Sequence, residues 1–302
     1  MGSAMVLPGT VTTSPFGKYH DYEGTWDSTV MLWDGGYQSS GVVPADGATV
    51  TNLVRNQAAA ISGLSLADCD LVAVNSTANG FAAAERTSKG GLHVASTQAG
   101  SSQNAASNVA LRMSVNFANW LLSQTDAGAD YAVMFTAWVR LTRANVGGTG
   151  APQAFSWFAN LSSATSNYLL YTQGGGAQAG AGGILTGNGQ AVAAVGTPGV
   201  LAVASQGWAG SKPANMNSIS QNAIANVGCG GAWGPLNYNK AASAAIYRAQ
   251  VDLVDLSDIA GADRAAKAAA MLAAMNVLQA RDFASGGRFN GDTYTAPATL
   301  KP

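Results

Sequence analysis

The stretch from Ala245 to Leu256, AIYRAQVDLVDL, alternates apolar and polar side chains. Tyr247, Ala249, Val251 and Leu253 fall on one face, Arg248, Gln250 and Asp252 on the other. A period of two marks a β-strand with one face turned to a core. An alanine-rich segment follows, with Met271, Leu272, Met275 and Leu278 at helical spacing, and predicts a helix laid on a sheet. Asp258 or Ser257 is suited to cap its start, and Gly286 and Gly287 to stop it with left-handed backbone. The chain then passes through GGRFNGDTYTAP, Gly286 to Pro297, a glycine turn and an extended tail. Strand, helix and tail after a β-rich body predict a sandwich that locks its own final segment.

Working outward, the clearest body strand is Tyr131 to Arg143, YAVMFTAWVRLTR, with Tyr131, Val133, Phe135, Ala137, Val139 and Leu141 on one face. WDSTVMLW, Trp26 to Trp33, predicts the first strand. Val43 to Val54 reads as a strand pair around Asp46-Gly47, a dipeptide suited to a tight hairpin. QAFSWFANL and NYLLYT add two more strands between residues 153 and 172. Pro8, Gly9, Pro15 and Gly17 break any regular element near the start. The expected organisation is an extended arm over 1–24, a β-sandwich over 25–256, and a helix with an extended tail over 257–302.

Composition narrows the function. Only 10% of the 302 residues are charged, and the net charge is −1. An average soluble chain is roughly 25% charged. A neutral, hydrogen-bonding surface suits contact between protein copies, because charge is costly to desolvate at an interface. The alternative is a neutral-surfaced extracellular protein. The thin scatter of 15 Lys and Arg offers no stripe for phosphates, so nucleic acid is not an expected partner. No apolar run approaches the roughly 18 residues of a membrane helix, and MGSAMVLPGT lacks the basic segment and apolar core of a secretion signal. Cys69 and Cys229 read as two buried free thiols, although spacing alone leaves a pairing open.

Motifs for catalysis are sparse. A Ser–His–acid triad would have to recruit His20, in the irregular arm, or His93, in the glycine-flanked KGGLHVAS segment read as a loop. Both read as solvated or hydrogen-bonded surface histidines. Asp68-Cys69-Asp70 sets two carboxylates on one side of an extended segment, too few oxygens for calcium, and reads as a solvated loop. The glycine-dense stretch from Gly174 to Gly189 reads as an inter-strand loop. A phosphate loop would need a following helix and an acid, and no carboxylate lies between Asp130 and Asp252. No cofactor is expected. Trp208 and Trp233, each flanked by small residues, with Asn237 and Tyr238 close by, are candidates for sugar contact, since sugar C–H faces pack on aromatic rings. The same tryptophans also suit a gap in a sandwich or a subunit interface.

AIYRAQVDLVDLSD, the adjoining helix and FASGGRFNGDTYTAP together resemble the C-terminal ending of concanavalin A-like (laminin-G-like) domains of tailed-bacteriophage virion proteins. MLWDGG and DGATVTNLV are similar to the opening strands of such proteins. The resemblance spans residues 26–56 and 131–297 and implies an all-β, two-sheet antiparallel jelly roll in a virion component. The superfamily includes glycanases with paired catalytic glutamates in an E-x-D-x-x-E pattern; Glu23 and Glu85 do not fit it. The expectation is therefore a non-enzymatic structural protein of the virion, at the tail tip or baseplate. Its expected partners are other virion proteins, copies of itself as a trimer, and a host-surface glycan. A capsid decoration protein is the runner-up, and a cellular carbohydrate-binding module comes third.

Overall fold

The structure, a computed structural model, describes residues 22–38, 41–98, 107–124, 130–144, 154–159, 168–172, 176–179, 184–188, 194–206, 222–229 and 241–302. In chain order the strands are β1 (Thr29–Asp34), β2 (Thr49–Val50), β3 (Leu71–Asn75), β4 (Ala82–Arg86), β5 (Leu92–Ser96), β6 (Ser107–Met113) and β7 (Tyr131–Arg143). They continue as β8 (Ala154–Ala159), β9 (Tyr168–Thr172), β10 (Gly176–Ala179), β11 (Ile184–Asn188), β12 (Pro198–Gln206), β13 (Asn222–Cys229) and β14 (Ser243–Asp255). The α-helices are α1 (Arg55–Ser62), α2 (Val115–Gln124), α3 (Gly261–Phe283) and α4 (Pro297–Leu300).

All described strand pairings are antiparallel. One sheet runs β11-β12-β7-β14-β5-β4, with β1 also on β14; the other runs β10-β9-β8-β13-β6-β3-β2. The long strand β14 therefore sits at the centre of the first sheet, between β7 on one edge and β5 and β1 on the other. A single apolar cluster joins the two sheets. It takes Phe135 and Val139 from β7, Val251 from β14, Leu111 from β6, Val227 from β13, and Phe117 and Leu121 from α2. The expected β body of two antiparallel sheets with a C-terminal helix is present. Tyr131–Arg143 forms one strand with the bounds its alternation implies.

Asp46-Gly47 does make a turn, with Gly47 at φ 72°. The following strand β2, however, pairs with β3 rather than with the residues before the turn. Residues 55–62 form α1, a helix beyond the single one expected. Asn52 fixes the chain just before it: its Oδ1 accepts from the Leu32 and Val54 amides while its Nδ2 donates to Val30 and Cys69 carbonyls. Helix α2 is also additional to the expected single helix. Ser114 accepts from the Phe117 amide at its start, and Phe117, Ala118, Leu121 and Leu122 form its buried face. The glycine-dense stretch 174–189 carries strands β10 and β11 where a loop was expected.

The strand that opened the sequence argument departs from strict alternation at one place. Against β7, the register of β14 steps between Ile246 and Arg248, leaving Tyr247 as the extra residue of a β-bulge. Tyr247 therefore sides with Arg248 rather than with Ala249. Its ring packs on Phe283 and Phe289, and its hydroxyl donates to Asp292 at 2.6 Å. Nor is the polar face solvated: Arg248 is 1% exposed and Gln250 and Asp252 are 0% exposed. Residues 23–24 and the C-terminal segment cover that face.

Helix α3 begins at Gly261 with Ala260 as N-cap and no side-chain cap, so Ser257 and Asp258 do not serve. The Ser257 amide and hydroxyl instead bond Asp255. The methionine stripe is core as read: Met275 is fully buried, and Met271, Leu272 and Leu278 pack beside it. The stop differs in detail. Ala284 caps the helix in extended conformation, and Gly286 then turns at φ 82°. A Cβ on Gly287 would stand 2.3 Å from the Arg281 carbonyl oxygen, so only glycine lets the chain fold back there. The tail beyond is turned as far as Gly291 and ends in the short helix α4, so it is not wholly extended.

Candidate functional site

The densest chemistry among the described residues lies on the face of the first sheet that the C-terminal segment covers. Two linked groups of side chains occupy it.

The first is an ion network. Arg288, from the glycine turn, donates through Nη1 and Nη2 to both oxygens of Asp34 at 3.0 and 3.1 Å, and through Nε to Asp282 at 2.9 Å. Arg248 stands 3.5 Å from Asp34 and donates to Gln250 Oε1 and to the Glu23 carbonyl. Gln250 passes the chain on to Asp252, which also accepts from the Thr29 hydroxyl at 2.6 Å. Burial raises the Asp252 carboxyl to about 6 despite the Thr29 and Gln250 hydrogen bonds. Burial also lowers Arg248, against the pull of Asp34. Phe289 plugs the centre of the layer, in contact with Trp138, Tyr247 and Phe283. The guanidiniums of Arg248 and Arg140 lie over the Trp138 and Tyr247 rings respectively.

The second group centres on His93. The histidine lies on β5, fully buried, and not in a surface loop. The TSKGG turn folds β5 back on β4 so that Glu85 and His93 are direct cross-strand partners. His93 Nδ1 is 2.8 Å from Glu85 Oε1, and Nε2 is 2.9 Å from the Thr142 hydroxyl on β7. An ionised Glu85 can only accept, so Nδ1 carries the proton and Nε2 accepts from Thr142. Burial lowers the His93 pKa, with Glu85 opposing. Burial would raise Glu85, but hydrogen bonds from Thr295 and His93 hold its carboxyl below its ordinary range.

Hydroxyl, imidazole and carboxylate thus follow one another in the order of a hydrolytic triad. Access is what differs. The Tyr294 ring lies 4.8 Å from that of His93, and Thr142 is 8% exposed. Both Glu85 oxygens are taken by Thr295, through its amide and its hydroxyl, each at 2.7 Å. The arrangement satisfies every polar atom of a buried imidazole and fixes the tail to the sheet. Sequence reasoning missed Thr142, which is 49 residues from His93 in the chain. The Glu85–His93 partnership had a usable signal in the hairpin pattern AAAER-TSKGG-LHVAS.

Of the residues proposed from the sequence for sugar contact, Trp208, Trp233, Asn237 and Tyr238 all lie outside the described residues, as does His20. The Asp68 and Asp70 carboxylates do not converge: Asp68 bonds Ser65 and Asn116, whereas Asp70 bonds the Asn52 amide and Arg55. Among the described residues no cluster of His, Cys, Asp and Glu is arranged to hold a metal ion. Cys69 is a free buried thiol. No described helix is long and apolar enough to cross a membrane.

No protein-family model matches this chain, and no curated protein does. Two solved structures are similar, both of a sialidase from Trypanosoma rangeli. One, in complex with a difluoro-KDN, has a TM-score of 0.35 at 9% identity. The other, a covalent intermediate with 2,3-difluorosialic acid, has a TM-score of 0.36 at 8% identity. Each match covers 82% of this chain and 33% of the sialidase chain, so this chain spans about a third of their length. A likeness of this size carries no argument about activity.

Proposed function

We propose that this chain is a non-enzymatic structural protein of a tailed-bacteriophage virion. In this reading its two sheets form a concanavalin A-like jelly roll, and it works through protein–protein contact at the tail tip or baseplate. Its partners are copies of itself, as a trimer, and neighbouring virion proteins. A host-surface glycan at Trp208, Trp233, Asn237 and Tyr238 is a further ligand.

One observation carries the non-enzymatic part. In the single described constellation of nucleophile, imidazole and carboxylate, Thr142–His93–Glu85, both Glu85 oxygens are bound by Thr295 of the tail and His93 lies against the Tyr294 ring. The FASGGRFNGDT segment that supports the family resemblance supplies Arg288 and Phe289 to the same closure. The low charge of the whole chain fits contact with other protein surfaces.

Light scattering of the full chain across a wide concentration range tests the assembly role. A mass of three chains is expected, and a mass of one chain throughout overturns it. Antibody labelling of intact particles distinguishes tail from head. Hydrolysis of glycosides or esters that disappears in Thr142→Ala would overturn the non-enzymatic reading. A glycan-array signal that is lost in Trp208→Ala or Trp233→Ala supports adhesion, and a signal intact in both removes those tryptophans as the site.

A further inference from the structure

We infer that the Glu85–His93 pair is an acid-sensitive fastener for a C-terminal strap, residues 292–302, which comes away from the sheet in mild acid while the sandwich beneath stays folded. The inference concerns only this closure and does not depend on the virion reading.

The strap is held by a small number of discrete hydrogen bonds rather than by strand pairing. Glu85 takes the Thr295 amide and hydroxyl. Ser88 exchanges two bonds with Thr293, its amide donating to the Thr293 carbonyl and its Oγ accepting from the Thr293 amide, each at 2.9 Å. Asp292 accepts from the Lys89 amide at 2.7 Å and from Tyr247. At the far end, Arg143 donates to the Lys301 carbonyl at 2.8 Å, and the Thr97 hydroxyl to that of Pro302. Most side chains of the strap are exposed or half-buried, so little apolar area anchors it.

His93, sealed beneath the Tyr294 ring of the strap, cannot take a second proton in place without disturbing its bond to Thr142. Once protonated, Nε2 becomes a donor, the Thr142 hydroxyl must turn to accept from it, and the hydroxyl hydrogen needs a new acceptor in a nearly sealed space. The charged and titratable groups facing His93 are Glu85 on β4, Arg143 on β7, and Asp292 and Tyr294 on the strap. Arg143 opposes a second positive charge at His93, while Glu85 and Asp292 favour it. Burial decides the balance in favour of the neutral ring.

The signs agree. His93 is lowered from 6.5, so its contribution is complete above that value and is lost as pH falls below it. Glu85 is lowered from 4.5, so its contribution is lost as pH falls further. Asp252 in the layer below is raised to about 6 and has the opposite sign, so acid relieves the ion network there. Because Tyr294 of the strap lies on the His93 ring, acid favours the open strap that uncovers the imidazole, while it relieves Asp252 below.

Hydrogen exchange of the full chain, corrected for the intrinsic effect of pH, tests this at pH about 7.5 and about 5. The amides of residues 292–302 are expected to exchange about tenfold faster or more at the lower pH, with β7 and β14 still protected. His93→Gln, which cannot charge, should abolish that response, and Glu85→Gln should expose the strap already at the higher pH. Unchanged strap protection in the natural chain, or loss of protection in strap and sandwich together, overturns the inference. So does a His93→Gln strap that responds like the natural one. The natural chain alone decides the matter should either variant not fold.

Discussion

Arg248 and Asp34 face each other 3.5 Å apart with almost no contact with water, and Arg288 closes the Asp34 carboxylate from the other side. Two guanidiniums on one fully buried carboxylate make its removal costly, because Arg248 would stay desolvated without its partner. Asp34→Ala is expected to lower unfolding free energy by about 3–5 kcal/mol. Arg281, half-exposed between the exposed Glu23 and Asp282, which Arg288 also holds, should cost about 1 kcal/mol when changed to Ala. Urea unfolding of the two variants checks the contrast, and equal losses would refute it.

Asp252 makes a prediction of opposite sign. Its carboxyl titrates near 6 in the fold and near 3.8 when free, so the native state binds more protons between those values. Its ionised form therefore destabilises the fold above pH 6, and Asp252→Asn should remove that penalty. Relative to Asp252→Asn, whose side chain cannot titrate, the natural chain is expected to lose stability as pH rises from about 4 to about 7.5. Identical slopes against pH in urea unfolding over that range would contradict the burial argument.

Phe289 is the apolar centre of the C-terminal closure, fully buried against Trp138, Tyr247 and Phe283. Phe289→Ala should cost about 3–5 kcal/mol, the usual range for emptying a buried aromatic site. Val277, 69% exposed on α3, should tolerate lysine within about 0.5 kcal/mol. Thermal unfolding of the pair separates packing from helix propensity.

Gly90 and Gly35 bring two turns into backbone contact. A Cβ on Gly90 would lie 2.3 Å from the Gly35 carbonyl oxygen, and Gly90 sits at φ +93°. Gly90→Ala combines a clash with a disfavoured backbone, and a loss of about 2 kcal/mol or more is expected. The neighbouring Lys89 amide, which holds Asp292, should show faster hydrogen exchange in the variant.

What could be read from the chain follows from how local its cause is. The bounds of β7 and the buried stripe of α3 were legible because periodicity alone sets them. The β14 bulge was not, since Tyr247 continues the apolar alternation in sequence and its displacement is visible only in the register with β7. Helix α1 was hidden because the chain enters it through Asn52, which looks like part of a strand but binds the Val54 amide and the Cys69 carbonyl. The polar face of β14 was read as wet because Arg248, Gln250 and Asp252 are chemically suited to water. Their partners Glu23 and Asp34 lie more than two hundred residues earlier. The sugar-contact residues Trp208, Trp233, Asn237 and Tyr238 lie outside the described residues, so that reading rests on sequence alone.

The position of β14 has a consequence for how the molecule comes into being. Its neighbours β1, β5 and β7 are all made before it, and none of these three strands has another of them to pair with. During synthesis they must therefore wait, as separate ribbons and hairpins, until residues 243–255 leave the ribosome. Contacts of such long sequence separation form slowly. Half of the sandwich is thus assembled around a strand that follows all of its partners in the chain.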